Sequence, residues 1–134
     1  MKCSNRDGYK APHKAIYLIS IIDSIELGYI TSRRFQVTPF LLQRFEDNWR
    51  SYVYLKCFSS IIWNPIFYME DDIIRKVWKS SQKVVQPSSL KRCEAVFECL
   101  EIASDLWKAV QDSTTAQRIK ERLIGTYIVN NRVS

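Results

Sequence analysis

The strongest constraint on the fold is an apolar stretch at residues 15–27, which is hydrophobic on almost every side of a helix. A helix without a polar face is stable only when it is buried, so we expect it at the centre of the domain. Pro12 suits the first helical turn, where a missing backbone N–H costs nothing, and Gly28 supplies a stop. The sequence therefore predicts one buried central helix against which the other elements pack.

The start of this helix gathers polar and cationic side chains. They are Tyr9, Lys10, His13 and Lys14. The first backbone N–H groups of a helix lack partners within the helix and attract anions. Lysine adds a point charge, and histidine adds a donor whose charge depends on pH. We interpret this end as a candidate phosphate site; the simpler alternative is a solvated helix start with a packed imidazole.

Composition narrows the class of protein. A chain of 134 residues with 46% hydrophobic residues predicts a single globular domain, and a net charge of +6 favours an anionic partner, nucleic acid first. Neither a secretory signal nor a membrane span is expected. Because the four cysteines are scattered and there is one histidine, we expect no metal, no cofactor and a reduced, cytoplasmic protein.

Capping signals and hydrophobic spacing predict four further helices. Thr38 as N-cap and Pro39 at the first position begin the second helix. Either Ser88 or Ser89 caps the third. The four helices are expected at residues 40–54, from the serine pair to about residue 100, at 106–111, and from a cap at 112–114 through 127.

Two β-prone stretches, at residues 66–69 and 73–78, predict a small hairpin with an acidic turn at 70–72. Arg33 and Arg34 are expected on a loop. The predicted fold is mostly α with minor β, a single compact domain of about five helices with one hairpin. A short arm at residues 1–10 precedes the domain at 11–129, and residues 130–134 form a frayed tail.

Several of these segments together resemble the N-terminal domain of McrA-type bacterial HNH endonucleases. The similarity includes Lys-Ala-Pro-His-Lys at 10–14, the apolar helix, Gly-Tyr-Ile at 28–30 and the helix at 38–49. Asn-Pro-Ile-Phe-Tyr-Met at 64–69 occupies the place of a motif usually written Tyr-Pro-Phe, so Asn64 stands where tyrosine is usual. Residues 87–91 and the closing helices also fit, and the match spans about residues 10–128.

The resemblance implies a DNA-recognition module of bacterial restriction or phage-defence systems, with any HNH nuclease activity on another domain or chain. Characterised members are sulfur-binding domains, which recognise phosphorothioate-modified double-stranded DNA by holding the sulfur in a shallow apolar pocket beside basic residues. The implied pocket residues are Asn64, Pro65, Phe67 and Tyr68. Here the residues after Pro65 are bulky, where sulfur readers carry a small one.

Other cationic and hydroxyl side chains extend the candidate DNA surface. They are Arg33, Arg34, Ser88, Ser89, Lys91 and Arg92. Arginine is the commonest reader of guanine, although exposed arginine pairs often serve only solubility. Serine hydroxyls and free N–H groups at a helix start suit phosphate, although plain N-capping competes for them.

Two other classes of function remain open at the level of sequence. The aromatic and basic surface would also suit a protein-interaction subunit that docks a separate nuclease or defence partner. A stand-alone nuclease is disfavoured, since one histidine supports no triad and a turn explains the acidic cluster at 70–72.

Overall fold

The computed structural model describes residues 12–53, 60–79 and 86–128. Its elements in chain order are α1 (His13–Glu26), β1 (Arg34–Phe35), α2 (Pro39–Tyr52), α3 (Trp63–Tyr68), β2 (Ile74–Trp78), α4 (Leu90–Val96), β3 (Phe97–Ile102), α5 (Ser104–Val110) and α6 (Ser113–Leu123), followed by a π-helical segment (Ile124–Ile128). The predicted class, mostly α with minor β, is confirmed. Tyr9, Lys10, the arm at 1–10 and the tail at 130–134 lie outside the described residues.

Helix α1 is the buried centre of the domain, as its composition predicts. Ile16, Ile19 and Ile21 expose almost nothing to solvent. Pro12 lies one residue before the helix, and its carbonyl accepts the N–H of Ile16 at 3.0 Å. At the other end Gly28 takes a φ of +83°, which favours glycine.

This end of α1 is a Schellman turn. The N–H of Tyr29 reaches the carbonyl of Ser24 at 2.8 Å, and the N–H of Gly28 reaches that of Ile25 at 3.1 Å. The predicted stop at Gly28 is thereby confirmed.

The caps predicted for α2 and α6 are also present. The Thr38 hydroxyl accepts the N–H of Leu41 at 3.3 Å, and Pro39 is the first residue of α2. The Asp112 carboxylate accepts the N–H of Thr115 at 2.9 Å. Leu41, Phe45 and Trp49 form the buried side of α2. These helix starts depend on residues three or four positions apart, which is why the sequence reveals them.

The predicted hairpin is wrong in its first strand. Residues 63–68 form α3, and β2 pairs with β3 rather than with its sequence neighbour. Pro65 lies in the first turn of α3, where proline is tolerated, and it is buried together with Ile66. Burial against α1 therefore outweighs the β-propensity of the Ile-Phe-Tyr run.

The third helix is shorter than predicted. Helix α4 ends at Val96, and the next residue, Phe97, begins β3. Leu100 and Ile102 of β3 are fully buried and lie two residues apart, which is the spacing that places side chains on the same face of a strand. Strand β3 is the centre of an antiparallel sheet of order β1-β3-β2.

The loop predicted for Arg33 and Arg34 is only partly correct. Arg33 lies in a bend, but Arg34 begins β1 and pairs in register with Glu101 of β3. Strand β1 is two residues long and has no local partner, so its pairing depends on a segment more than sixty residues away. Sequence neighbours alone carry no signal for such a contact.

One polar atom in the core has no partner among the described residues. The Tyr17 hydroxyl is fully buried, and burial raises its pKa far above the ordinary value, so it stays neutral. An unpaired buried hydroxyl costs about 1–3 kcal/mol, so we expect Tyr17→Phe to raise the free energy of unfolding by about 1 kcal/mol in urea denaturation. Tyr68→Phe, at an exposed ring, is the control and should change nothing measurable. A loss of stability in Tyr17→Phe would contradict this account.

Candidate nucleic-acid interface

Helix α3 lies between the start of α1 and the segment that leads into α4. The Lys14 ammonium pairs with the carboxylate of Glu70, two residues beyond the end of α3. At the other end of α3, the Gln86 side-chain Nε2 donates a hydrogen bond to the side-chain oxygen Oδ1 of Asn64 at 2.6 Å. These two contacts therefore join α3 to two other segments, the start of α1 and the residues that precede α4.

The Lys14–Glu70 pair is open to solvent. Both side chains are about half exposed, and the hydrogen bond from Lys14 lowers the pKa of Glu70 below its usual value. Exposed ion pairs of this kind contribute about 0–1 kcal/mol. A phosphate could therefore replace the Glu70 carboxylate at little cost, which leaves Lys14 chemically able to serve the predicted role.

His13 is anchored rather than fully solvated. Its ring packs on Trp49 of α2, with centroids 4.7 Å apart and planes tilted by 47°. The side chain is half-buried at the first position of α1. This contact holds the imidazole at the start of the helix, and packing against Trp49 explains why the ring is half-buried.

The predicted pocket residues differ sharply in exposure along α3. Pro65 is buried, Asn64 and Phe67 are half-buried, and Tyr68 exposes 62% of its surface. Phe67 meets Tyr68 edge-on at 4.9 Å and Trp78 of β2 at 6.1 Å. Tyr68 is therefore the member of the set whose ring is available to a ligand, supported from behind by Phe67.

The start of α4 presents hydroxyls and cations to solvent. Ser89 is the N-cap, accepting the N–H of Arg92 at 3.2 Å, whereas Ser88 is exposed. Lys91 and Arg92 are exposed, and among the residues that the structure describes neither forms an ion pair. Of the two serines predicted as alternatives, Ser89 is the cap, and the two cations remain available to an anion.

Arg33 and Arg34 belong to a different surface, at the sheet. The Arg33 Nε donates to the carbonyl of Ile102 at 3.0 Å, and the Arg34 Nε donates to Glu101 at 3.1 Å. Arg75 of β2 binds the other oxygen of Glu101 at 2.9 Å. Bonds from Arg34 and Arg75 lower the pKa of Glu101. No described contact joins Arg33 or Arg34 to α3, so the structure does not bring them together with the other candidates.

Sequence reasoning missed the residues that assemble the interface. Glu70 and Gln86 connect the helix starts to α3, and Glu101 holds the two sheet arginines. Each contacts a residue at least 22 positions away in the sequence, and the 26-residue contact between Arg75 and Glu101 arises from strand pairing. A pairing between β2 and β3, had it been predicted, would have pointed to Glu101.

Two comparisons with known proteins find no relative of this chain. A scan against protein-family models finds no match to this chain. A search of curated proteins likewise finds none similar to it.

The described residues contain no group of three or more histidine, cysteine or acidic side chains that could hold a metal ion. Within the same ranges, every helix is too short or too polar to cross a bilayer.

Proposed function

We propose that this chain is a non-catalytic DNA-binding specificity module. Lys14, Lys91 and Arg92 would contact the phosphate backbone, and α3 would meet it between them. The observation that carries the proposal is the pair of contacts, Lys14 with Glu70 and Asn64 with Gln86, which join α3 to the start of α1 and to the segment that precedes α4. The similarity to sulfur-binding domains supplies the ligand class, phosphorothioate-modified duplex DNA.

The chemistry of α3 suits a modified phosphate. Sulfur is larger, more polarizable and less hydrated than oxygen, so it favours apolar and aromatic neighbours over water. The exposed ring of Tyr68 and the half-buried ring of Phe67 offer such neighbours on α3, whereas Pro65 is buried. The net charge of +6 supplies the general attraction to the duplex.

A direct test is fluorescence anisotropy with two duplexes of one sequence, one of which carries a single phosphorothioate. We expect affinity for both to fall as salt rises, and the modified duplex to bind more tightly at every salt concentration. Equal and negligible binding to both duplexes would overturn the proposal. Salt-dependent binding with equal affinity for the two duplexes would support DNA binding but would contradict recognition of the phosphorothioate.

Variants separate the backbone contacts from the reading of sulfur. Lys91→Ala with Arg92→Ala should weaken binding to both duplexes alike and reduce the slope of log affinity against log salt by about 2, since each phosphate contact contributes about 1. The control is Lys108→Ala with Arg118→Ala, which removes the same charge from exposed positions of α5 and α6. Tyr68→Ala should reduce the preference for the modified duplex and leave the salt slope unchanged. An equal loss of slope in the control would contradict a localised interface.

The second candidate is a subunit that docks a separate nuclease or defence partner. The observation that favours it is the exposure of apolar side chains at both ends of α3, where Ile61 exposes 43% of its surface and Tyr68 exposes 62%. Such side chains are typical anchors of protein interfaces. Co-purification of a partner chain, without salt-dependent DNA binding, would favour this function over the first.

A further inference from the structure

A groove with an apolar floor runs between α1, α5 and α6, and it begins at Leu18, one helical turn along α1 from Lys14. Its floor includes Leu18 and Ile22 of α1, Leu106 of α5, and Ile119 and Leu123 of α6. The cavity is about 290 Å³, at the small end of the roughly 300–1,000 Å³ range of ligand pockets. It therefore suits individual side chains of a partner rather than a large cofactor.

Within the described ranges, the two charged residues that line this groove are both acidic. Asp72 lies in the turn before β2, and Asp105 lies in the first turn of α5. Both side chains are exposed, and no ion pair to either is found among the described residues. The end of the groove at Asp72 and Asp105 is thus locally negative, whereas Arg122 lines the adjoining cavity past Ile119 and Leu123.

We propose that the groove docks a segment of a partner protein in which an apolar side chain is flanked by lysine or arginine. The apolar side chain would enter the cavity between α1 and α6, and the cation would lie between Asp72 and Asp105. Charge complementarity selects this occupant, because an acidic or phosphorylated segment would be repelled. The proposal does not depend on DNA binding by the other surface.

The test uses the full chain and two labelled synthetic helical peptides. The first carries leucines at helical spacing with lysine and arginine beside them, and the second replaces every cation with glutamate. In methyl NMR spectra we expect the cationic peptide to shift the Leu18, Ile22, Leu106, Ile119 and Leu123 signals and the acidic peptide to leave them in place. Shifts spread over other methyl groups, or none at all, would overturn the proposal.

A pair of matched variants isolates the two carboxylates. Asp72→Asn with Asp105→Asn should weaken the cationic peptide about tenfold, since each partly exposed ion pair contributes up to about 1 kcal/mol. Glu94→Gln with Glu98→Gln makes the same charge change beside a different cavity and should leave the affinity unchanged. Equal effects of the two pairs would overturn the proposal. Light scattering provides a further check on the occupant. A concentration-dependent dimer that is lost in the Asp72→Asn, Asp105→Asn double variant would also overturn the proposal, because a second copy of this chain would then occupy the groove.

Discussion

Replacing Asp23 with alanine is expected to lower the free energy of unfolding by about 3 kcal/mol. Residue Asp23 exposes only 7% of its surface, and its carboxylate joins three helices. It accepts hydrogen bonds from Arg44 of α2 at 2.8 Å, Asn48 of α2 at 3.0 Å and Lys120 of α6 at 3.0 Å. Alanine would leave these donors without their common acceptor.

The expected loss of stability is at the lower end of the range for breaking a buried ion pair, because water reaches part of the hydrogen-bond network around Asp23. Arg44 is partly exposed, and Lys120 keeps a second bond to Glu26 at 2.7 Å. The control is Asp47→Ala, which removes an exposed pair with Arg50 and should cost less than about 1 kcal/mol. Urea denaturation with both variants measures the difference, and equal costs would show that Asp23 holds no structural network.

The Asp23 carboxylate should also make the free energy of unfolding depend on pH in the acid range. Burial raises the pKa of Asp23, but hydrogen bonds from Asn48, Lys120 and Arg44 outweigh it, so the folded pKa lies below the unfolded value. The contribution is therefore complete above about pH 4, the unfolded pKa, and is lost as the pH falls through the folded pKa. In urea denaturation at a series of pH values, the difference in free energy of unfolding between the unaltered protein and Asp23→Ala should become smaller as the pH falls below about 4. A gap that stays constant would contradict a depressed pKa.

The second large effect is expected at Ile66, the residue that fixes α3 to the core. Its side chain is 0% exposed and packs in the main hydrophobic cluster. Ile66→Ala should lower the free energy of unfolding by about 3 kcal/mol, since it removes buried methyl groups and leaves a cavity beneath the predicted pocket. Thermal and urea unfolding measure this loss.

Ile61→Ala is the matched control for this site. It makes the same chemical change five residues earlier, at a side chain that is 43% exposed, and should cost less than about 1 kcal/mol. If the two variants lost equal stability, the helix assigned at α3 would not bury Ile66. That result would return residues 66–69 to the strand first predicted from their composition.

The parts of the fold that were predictable from sequence are those with a local cause. The Schellman turn at Gly28, the cap at Thr38 and the cap at Asp112 each join residues within about five positions. The apolar run of α1 likewise predicts its own burial. Such signals need no knowledge of the rest of the chain.

The parts that were not predictable have causes far away in the sequence. Residues 66–69 and β2 look alike in β-propensity, yet only β2 finds a partner, in β3. For the candidate site, the resemblance named the segments around residues 13, 64 and 88 separately. The contacts that connect α3 to its neighbours come from the Glu70 and Gln86 side chains, and neither residue belongs to a recognisable motif.

The order of strands in the sheet has a consequence for synthesis. Among the described residues, β1 and β2 pair only with β3, which is the last of the three to leave the ribosome. Until residue 102 has emerged, the nascent chain holds two unpartnered edges together with the apolar side chains of Phe35 and Ile74. Unpaired strands with apolar faces invite association between chains. Stalled translation before this point should therefore yield aggregates rather than a partly functional domain.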